Sequence, residues 1–511
     1  MSNIIEIFRR NAVSFATTAA LVDGDRAVTF AALAADVRRV ARRLEREGIR
    51  PGDHVLLFVP MSRELYTLLL ALFHIGAVAV FVDAWADRRR LALAAGLVPL
   101  RAFIGTRRAH ALRLLSRDIR AIPIKLVART DSWRADGVEP AVHAAAPGDA
   151  ALVTFTTGST GAPRGARRTH RFLVAQHRSI LASFDTRHGD IDLPMLPIFV
   201  LNNLAAGATT VLPAVDPRRV DEFDPEVVVG QIAREGVATT TGSPAFYARL
   251  AEHCIAHDVR LPSLRRIFLG GAPVGRRLAR RLIEAFPATE ITIVYGSTEA
   301  EPVSMIDARE MLDRVDRHEG LPVGFPVRAI DLVIVPITDG AISVASEQEL
   351  RALALPAGVT GEICVAGEHV LEEYYGDRAS WMASKIDVGG RLWHRTGDGG
   401  YRDTEGALYL MGRVRQSFER RGERVFVLPI EEQVAAIDGV ASGTILLIDE
   451  RSVLVIEPAA GADRRAIERA ARDAVGGFDD VRFIDAMPRD PRHRSKIDYE
   501  RLRAMVGINQ H

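Results

Sequence analysis

The chain has 511 residues, which at the usual ~100–200 residues per domain allows two to four folding units. Its 66 Lys+Arg against 65 Asp+Glu leave a net charge of +1, removing any global electrostatic case for nucleic acid or an anionic membrane as partner. A hydrophobic share of 48% with 26% charged residues excludes global disorder, and two cysteines 110 positions apart, Cys254 and Cys364, exclude a disulfide scaffold or a zinc site and fit a reducing cytoplasm.

In chain order, the N-terminal MSNIIEIFRRN lacks the basic start, apolar stretch and small-residue cleavage site of a secretory signal. Tyr66 to Val82 are nearly all apolar, but His74 interrupts them and Gly76 punctuates them before AVAVFV. That predicts a buried helix feeding a buried strand and no transmembrane segment. From about residue 18 to 345, β-branched runs such as HVLLFVP, RIFLGG and EITIVYG alternate with Ala- and Arg-rich helical stretches, which implies mostly parallel sheets packed with helices. Between Gly361 and Leu410 the texture turns strand-rich and turn-punctuated, predicting a small antiparallel β subdomain over about 345–412. Beyond Gly412 a charged segment leads into a tail of alternating strands and helices. The fold class is therefore α/β, with a large N-terminal domain over 1–412 and a small α+β C-terminal domain over 413–511.

Three clusters carry chemistry. Residues 156 to 165, TTGSTGAPRG, follow the strand-like ALVTF and combine three glycines, four hydroxyls and a cation. Such a loop offers backbone N–H groups, O–H donors and positive charge to polyphosphate oxygens, although a solvated Ser/Thr/Gly turn has the same composition. Tyr295-Gly296-Ser297-Thr298-Glu299 follows EITIV at the carboxyl end of a strand, where open α/β sheets place ligands. Glu299 suits a Mg²⁺ on nucleotide phosphates, and equally a helix start. Thr396-Gly397-Asp398, in a turn between two strand-like runs, presents a carboxylate suited to a ribose diol; alone it is an Asp-containing turn.

In this order and spacing the clusters resemble the adenylate-forming superfamily of acyl-CoA synthetases, luciferases and peptide-synthetase adenylation domains, over essentially the whole chain. The resemblance implies ATP and Mg²⁺ as cofactors and a small carboxylic acid as substrate. It makes Thr156, Thr157, Gly158, Ser159, Thr160, Gly161, Arg164 and Gly165 the phosphate loop, and Gly270, Gly271, Ala272 and Pro273 the adenine-contacting turn. Tyr295 stacks on adenine, with Gly296 and Ser297 beside it. Thr298 binds phosphate and Glu299 the metal, Asp398 takes the ribose hydroxyls with Arg413, and Arg415 is the hinge of a mobile C-terminal lid. Val200, Phe246 and Gly270 belong to the acyl pocket, scattered over 200–203, 241–247 and 270–273. Lys496 is the catalytic lysine. Lysine occurs only at 125, 385 and 496, so a compact ammonium kept in an Arg-rich tail matches a site that needs a point charge.

The departures from the superfamily pattern are Arg164 in place of Lys, Val200 in place of His, and Glu419 in place of a Lys near the pantetheine path. The last makes CoA doubtful as acceptor, unless Glu419 simply pairs with a neighbouring Arg. Together with LPMLPIFVLNNLAAGATTVLP, YGSTEAEPVS and LWHRTGDGGYRDTEGALYLMGRV, they resemble the olefin β-lactone synthetase branch. That branch implies an acyl-adenylate consumed by its own β-hydroxyl. An amine or an acyl-carrier protein is a further acceptor; an ordinary acyl-CoA ligase and a catalytically silent nucleotide binder are the alternatives. Asn202 and Asn203, in the pocket-lining stretch, point to a shorter or more polar acyl group.

Overall fold

The computed structural model describes residues 3–82, 96–133, 138–157, 163–216, 222–375, 378–490 and 496–508. Two large sheets sandwich a layer of helices, and a smaller C-terminal sheet follows. In the first sheet the strands Glu290–Ser297, Arg266–Gly270, Thr239–Gly242, Ile191–Pro194, Thr209–Val211 and Ala19–Asp23 lie side by side and parallel. The second sheet runs parallel through Ile124–Val127, Leu100–Gly105, His54–Phe58, Val78–Phe81 and Ala150–Thr157, then adds Pro163–Thr169 and Glu373–Tyr375 antiparallel. Strands buried on both faces can be apolar throughout, which is why the runs read as continuous rather than alternating.

The apolar stretch at 66–82 folds as expected. Helix Arg63–His74 is buried from Leu65 to His74 and ends before the buried strand Val78–Phe81. Gly76 takes φ +73 between them, and a Cβ there would meet the His143 ring at 2.2 Å, so the turn requires glycine. Among the described residues no helix is long and apolar enough to cross a membrane.

The strand-rich region is antiparallel, as its turn spacing predicts, but it is not a separate sheet. Strands Gly361–Ala366, Arg391–Arg402 and Leu408–Arg413 join Asp331–Val335 and, through Leu321–Pro326 and Ala300–Asp307, continue the first sheet without a break. The joint is the pairing of Leu321 with Leu410. It depends on register between segments far apart in the chain, which local sequence does not encode.

The C-terminal sheet pairs Val440–Ile448 with Arg451–Pro458 antiparallel and adds Asp480–Phe483 parallel. It shares one core with helices Val427–Ala435, Arg464–Ala474 and Tyr499–Ile508. This C-terminal part meets the rest of the chain through polar contacts, with Arg276 N donating to Glu432 Oε2 at 3.1 Å and Arg277 to the carbonyls of Val440 and Ala441 at 2.9 and 3.0 Å, and through Phe426, which is buried against Tyr401, Tyr409 and Met411.

Candidate functional site

The two sheets meet where the sequence clusters converge. Strand Glu290–Ser297 returns as Ala300–Asp307, and Ser297 pairs with Ala300, so Thr298 and Glu299 form the tip of a hairpin. Glu299 therefore does not start a helix. The Glu299 carboxylate accepts from Tyr374 Oη at 2.6 Å, and its backbone N–H donates to Ser297 Oγ at 3.2 Å. Burial by itself would raise its pKa, yet the group is held down at about 2. Its neighbour His394 is pushed down to about 3 by burial and by the Lys385 ammonium, so it is neutral at pH 7 and charges only in acid. The charge of His394, then the Tyr374 and Ser297 hydroxyls, hold the Glu299 carboxyl down against burial. Lys385, buried and lowered to about 8 by desolvation against the pull of Glu299, donates its ammonium to the Leu371 carbonyl. Leu371 N in turn donates to Glu299 O at 2.7 Å.

Thr396-Gly397-Asp398 lies inside the long strand Arg391–Arg402 rather than in a turn, with Gly397 at φ +70 bending it. Asp398 accepts from Tyr295 Oη at 2.8 Å and pairs with Arg413 Nε at 3.0 Å, while Arg413 also donates to Thr396 O at 2.9 Å. The structure thus brings Tyr295, Asp398 and Arg413 into one hydrogen-bonded group. Gly270 ends its strand so close to the next that a Cβ would meet Val294 O at 2.5 Å, and Gly271 turns away at φ +84. Gly296 sits at the hairpin bulge, where a Cβ would meet Ala300 O at 2.9 Å. Ala272 and Pro273 complete the turn before helix Arg276–Ala285.

The Ser/Thr/Gly loop joins two antiparallel strands, with Thr157 opposite Pro163, Thr156 opposite Arg164, and Gly165 opposite Phe155. Gly158, Ser159, Thr160 and Gly161 lie outside the described residues. The Arg164 guanidinium stands over the Tyr374 ring at 5.8 Å, and Arg168 donates to Thr298 O at 3.3 Å, so the loop's second strand is tied to the hairpin.

The Arg415 guanidinium, in the 3₁₀ turn Val414–Gln416, is depressed by desolvation and by Arg413, and it also interacts with Arg164, Glu500 and Arg503. Arg415 thus lies within electrostatic reach of both the last helix and the loop's second strand. Lys496 is exposed. Its N–H donates to Asp490 Oδ1 at 3.0 Å and its carbonyl accepts from Asp490 N at 2.9 Å, closing a loop. Tyr499, which follows, donates to the Glu431 carboxylate.

Val200 is fully buried in the core between the sheets and Phe246 in the core around Val228 and Leu250, while Gly270 is partly exposed at the strand end. It is Phe199 that packs with Phe268 and Val294 under that end. Glu419 pairs with Arg424 at 3.2 Å on the exposed hairpin Phe418–Arg420 and Glu423–Val425.

Sequence reasoning does not single out Tyr374, Lys385 or His394 for this site. One signal points there: Lys385 is one of three lysines in the chain.

Residues 8–375 match the family described as AMP-binding enzyme. An olefin beta-lactone synthetase from Stenotrophomonas maltophilia (strain K279a) is 32% identical over 487 residues, 89% of this chain and 87% of that protein. A feruloyl-CoA synthase from Amycolatopsis sp is 27% identical over 91% of each chain. The solved amide bond synthetase McbA from Marinactinospora thermotolerans superposes with a TM-score of 0.81 at 23% identity, covering 98% of this chain and 99% of that one.

Proposed function

Because the chain belongs to the AMP-binding enzyme family and so to the AMP-forming ligases, we propose that it activates a β-hydroxy acid as its acyl-adenylate and closes that intermediate to a β-lactone without CoA. The carboxylate oxygen attacks the α-phosphorus of ATP, forming the acyl–phosphate bond and releasing pyrophosphate. The β-hydroxyl oxygen then attacks the acyl carbon; AMP leaves with the electron pair and the hydroxyl proton passes to solvent. The observation carrying this reading is the 32% identity to a β-lactone synthetase along nearly the whole chain. The same chemistry serves an amine or a carrier protein as acceptor.

In this reading Tyr295, Asp398 and Arg413 hold the nucleoside, and residues 156–165 with Thr298 hold the phosphates. Among the described residues no three metal-binding side chains cluster. Mg²⁺ bound through substrate phosphates and water needs only one or two carboxylates, so an ionised Glu299 fits it. The ion would neutralise phosphate charge. We expect Glu299→Gln to raise the Mg²⁺ concentration for half-maximal activity about tenfold or more, with AMP affinity unchanged. Separate titrations of Mg²⁺ and AMP check this, and a parallel loss of AMP binding reassigns Glu299. We place the division between domains at 412/413 and assign the hinge to Arg415; the contacts of Arg276 and Arg277 across it are polar and suit an interface that must release, while Phe426 stays buried against the N-terminal part.

One observation favours the ordinary acyl-CoA ligase. Glu419 already has a cationic partner in Arg424 on an exposed hairpin, so its charge is screened and repels an incoming phosphorylated thiol little. Incubation with ATP, Mg²⁺ and β-hydroxy acids, with and without CoA, separates the two. We expect AMP release and a product lighter than the acid by one water, at rates independent of CoA. Acyl-CoA formation that saturates in CoA would establish the ligase instead.

A further inference from the structure

Helix His170–Phe184 runs from the nucleotide end into the protein. Just before it, Arg168 donates to Thr298 O; at its far end Phe184 stacks on Phe268 at 4.1 Å and on Phe199 at 5.4 Å. Ile180, Val294 and Met305 complete that apolar plug. The helix packs against helix Pro197–Ala206 and strand Ala300–Asp307. One turn before Ile180, on the same helix face, is Gln176, with Ser179 beside it. Gln176 is 1% exposed, and neither its amide oxygen nor its amide nitrogen has a partner; Ser179 is 4% exposed, and its hydroxyl has none. Next to them the buried pair His177 Nδ1 and Asn202 Oδ1 meets at 2.8 Å, using one polar atom of each residue. Burial, first of all, lowers the His177 pKa, so this pair is neutral.

A buried amide with both ends unpaired destabilises a protein, and two such groups on adjoining faces beside a polar pair are not explained by packing. On the order of 9 Å of helix separates His170 from Gln176, the length of a short acyl chain. We infer that the acyl pocket takes a short acid whose chain carries its own hydrogen-bonding group, a hydroxyl or an amide, which Gln176, Ser179 and the His177–Asn202 pair receive before the aromatic plug. This rests on the adenylating reading above. It adds the substrate class: polar and short rather than long-chain alkyl. A site built to hydrogen-bond a substrate group rejects the analogue lacking it, because its own polar atoms then stay unpaired.

The full-length protein with ATP and Mg²⁺ is assayed for pyrophosphate release and for hydroxamate in the presence of hydroxylamine. The acids are hexanoate, ω-hydroxyhexanoate, adipic acid monoamide, decanoate and ω-hydroxydecanoate. The expected result is a kcat/KM about tenfold or more higher for ω-hydroxyhexanoate or the monoamide than for hexanoate, with both ten-carbon acids poor. Gln176→Leu should bring the hexanoate ratio to within about twofold, and its ligand-free melting temperature should not fall, since it removes an unpaired amide. A preference of the wild-type enzyme for decanoate or hexanoate overturns the inference, and so does a ratio that survives Gln176→Leu; either result means the polar atoms serve only buried water. If that variant does not fold, Ser179→Ala serves in its place, and the wild-type ratio decides by itself. Absence of pyrophosphate from every acid overturns the adenylating reading, and this inference with it.

Discussion

Replacing Lys496 by alanine lowers acyl-adenylate formation about a hundredfold or more, equivalent to about 2.7 kcal/mol of transition-state stabilisation, while ATP affinity changes little. Two anions, the carboxylate and the α-phosphate, must approach in line, and negative charge spreads over the phosphoryl oxygens as they do. A three-donor ammonium brought up at that moment acts on the transition state more than on bound ATP. In this structure Lys496 is exposed, its backbone tied to Asp490, and Tyr499 anchors the following helix to Glu431. Arg is the default cation of this chain, so Lys496→Arg is the sharper variant. A planar fork should recover only a small part of the lost rate. Pyrophosphate release measured under single-turnover conditions checks both, and an unchanged rate in the alanine variant removes Lys496 from the chemistry.

Asp398→Ala should weaken AMP and ATP binding about a hundredfold. Each charge-assisted hydrogen bond from a ribose hydroxyl is worth roughly 1.5–3 kcal/mol, and removing the carboxylate also leaves the Tyr295 hydroxyl and the Arg413 guanidinium without their shared partner. The loss should fall on affinity rather than on the rate at saturating ATP. Dideoxy-ATP tests the cause directly: the wild-type enzyme should discriminate strongly against it, and the variant hardly at all. Equal discrimination by both would mean that Asp398 acts by holding Tyr295 and Arg413 in place and does not touch the ribose.

Much of the site is legible in the amino-acid sequence alone. Tyr295 to Glu299 stands at the end of an apolar run, and strand ends are where parallel sheets leave room for ligands. Helix Arg63–His74 and its strand are readable because His74 and Gly76 break an otherwise membrane-like stretch. What the sequence hides is long-range. Glu299 and Lys385 are 86 positions apart, and only register brings the Lys385–His394 pair beside that carboxylate. The strand character of Thr396 to Asp398 is masked by Gly397, which reads as a turn residue but serves here as a bend. For Glu419 the sequence leaves two readings, an unopposed charge or the partner of a neighbouring Arg; a hairpin whose two strands hold three residues each sets it opposite Arg424 and decides for the second.

Tyr374 belongs to a strand of the second sheet, yet its hydroxyl is bound to Glu299 on the first. Tyr295 and Asp398 lie on the first sheet, and Arg164 on the second. A nucleotide held by all four would cross the seam between two sheets that share one apolar core, and its binding energy would exist only when both are folded. Such a ligand is a non-covalent crosslink. It adds a polar tie at the edge of the apolar core that the two sheets already share, so loaded protein should melt at a higher temperature than apo protein.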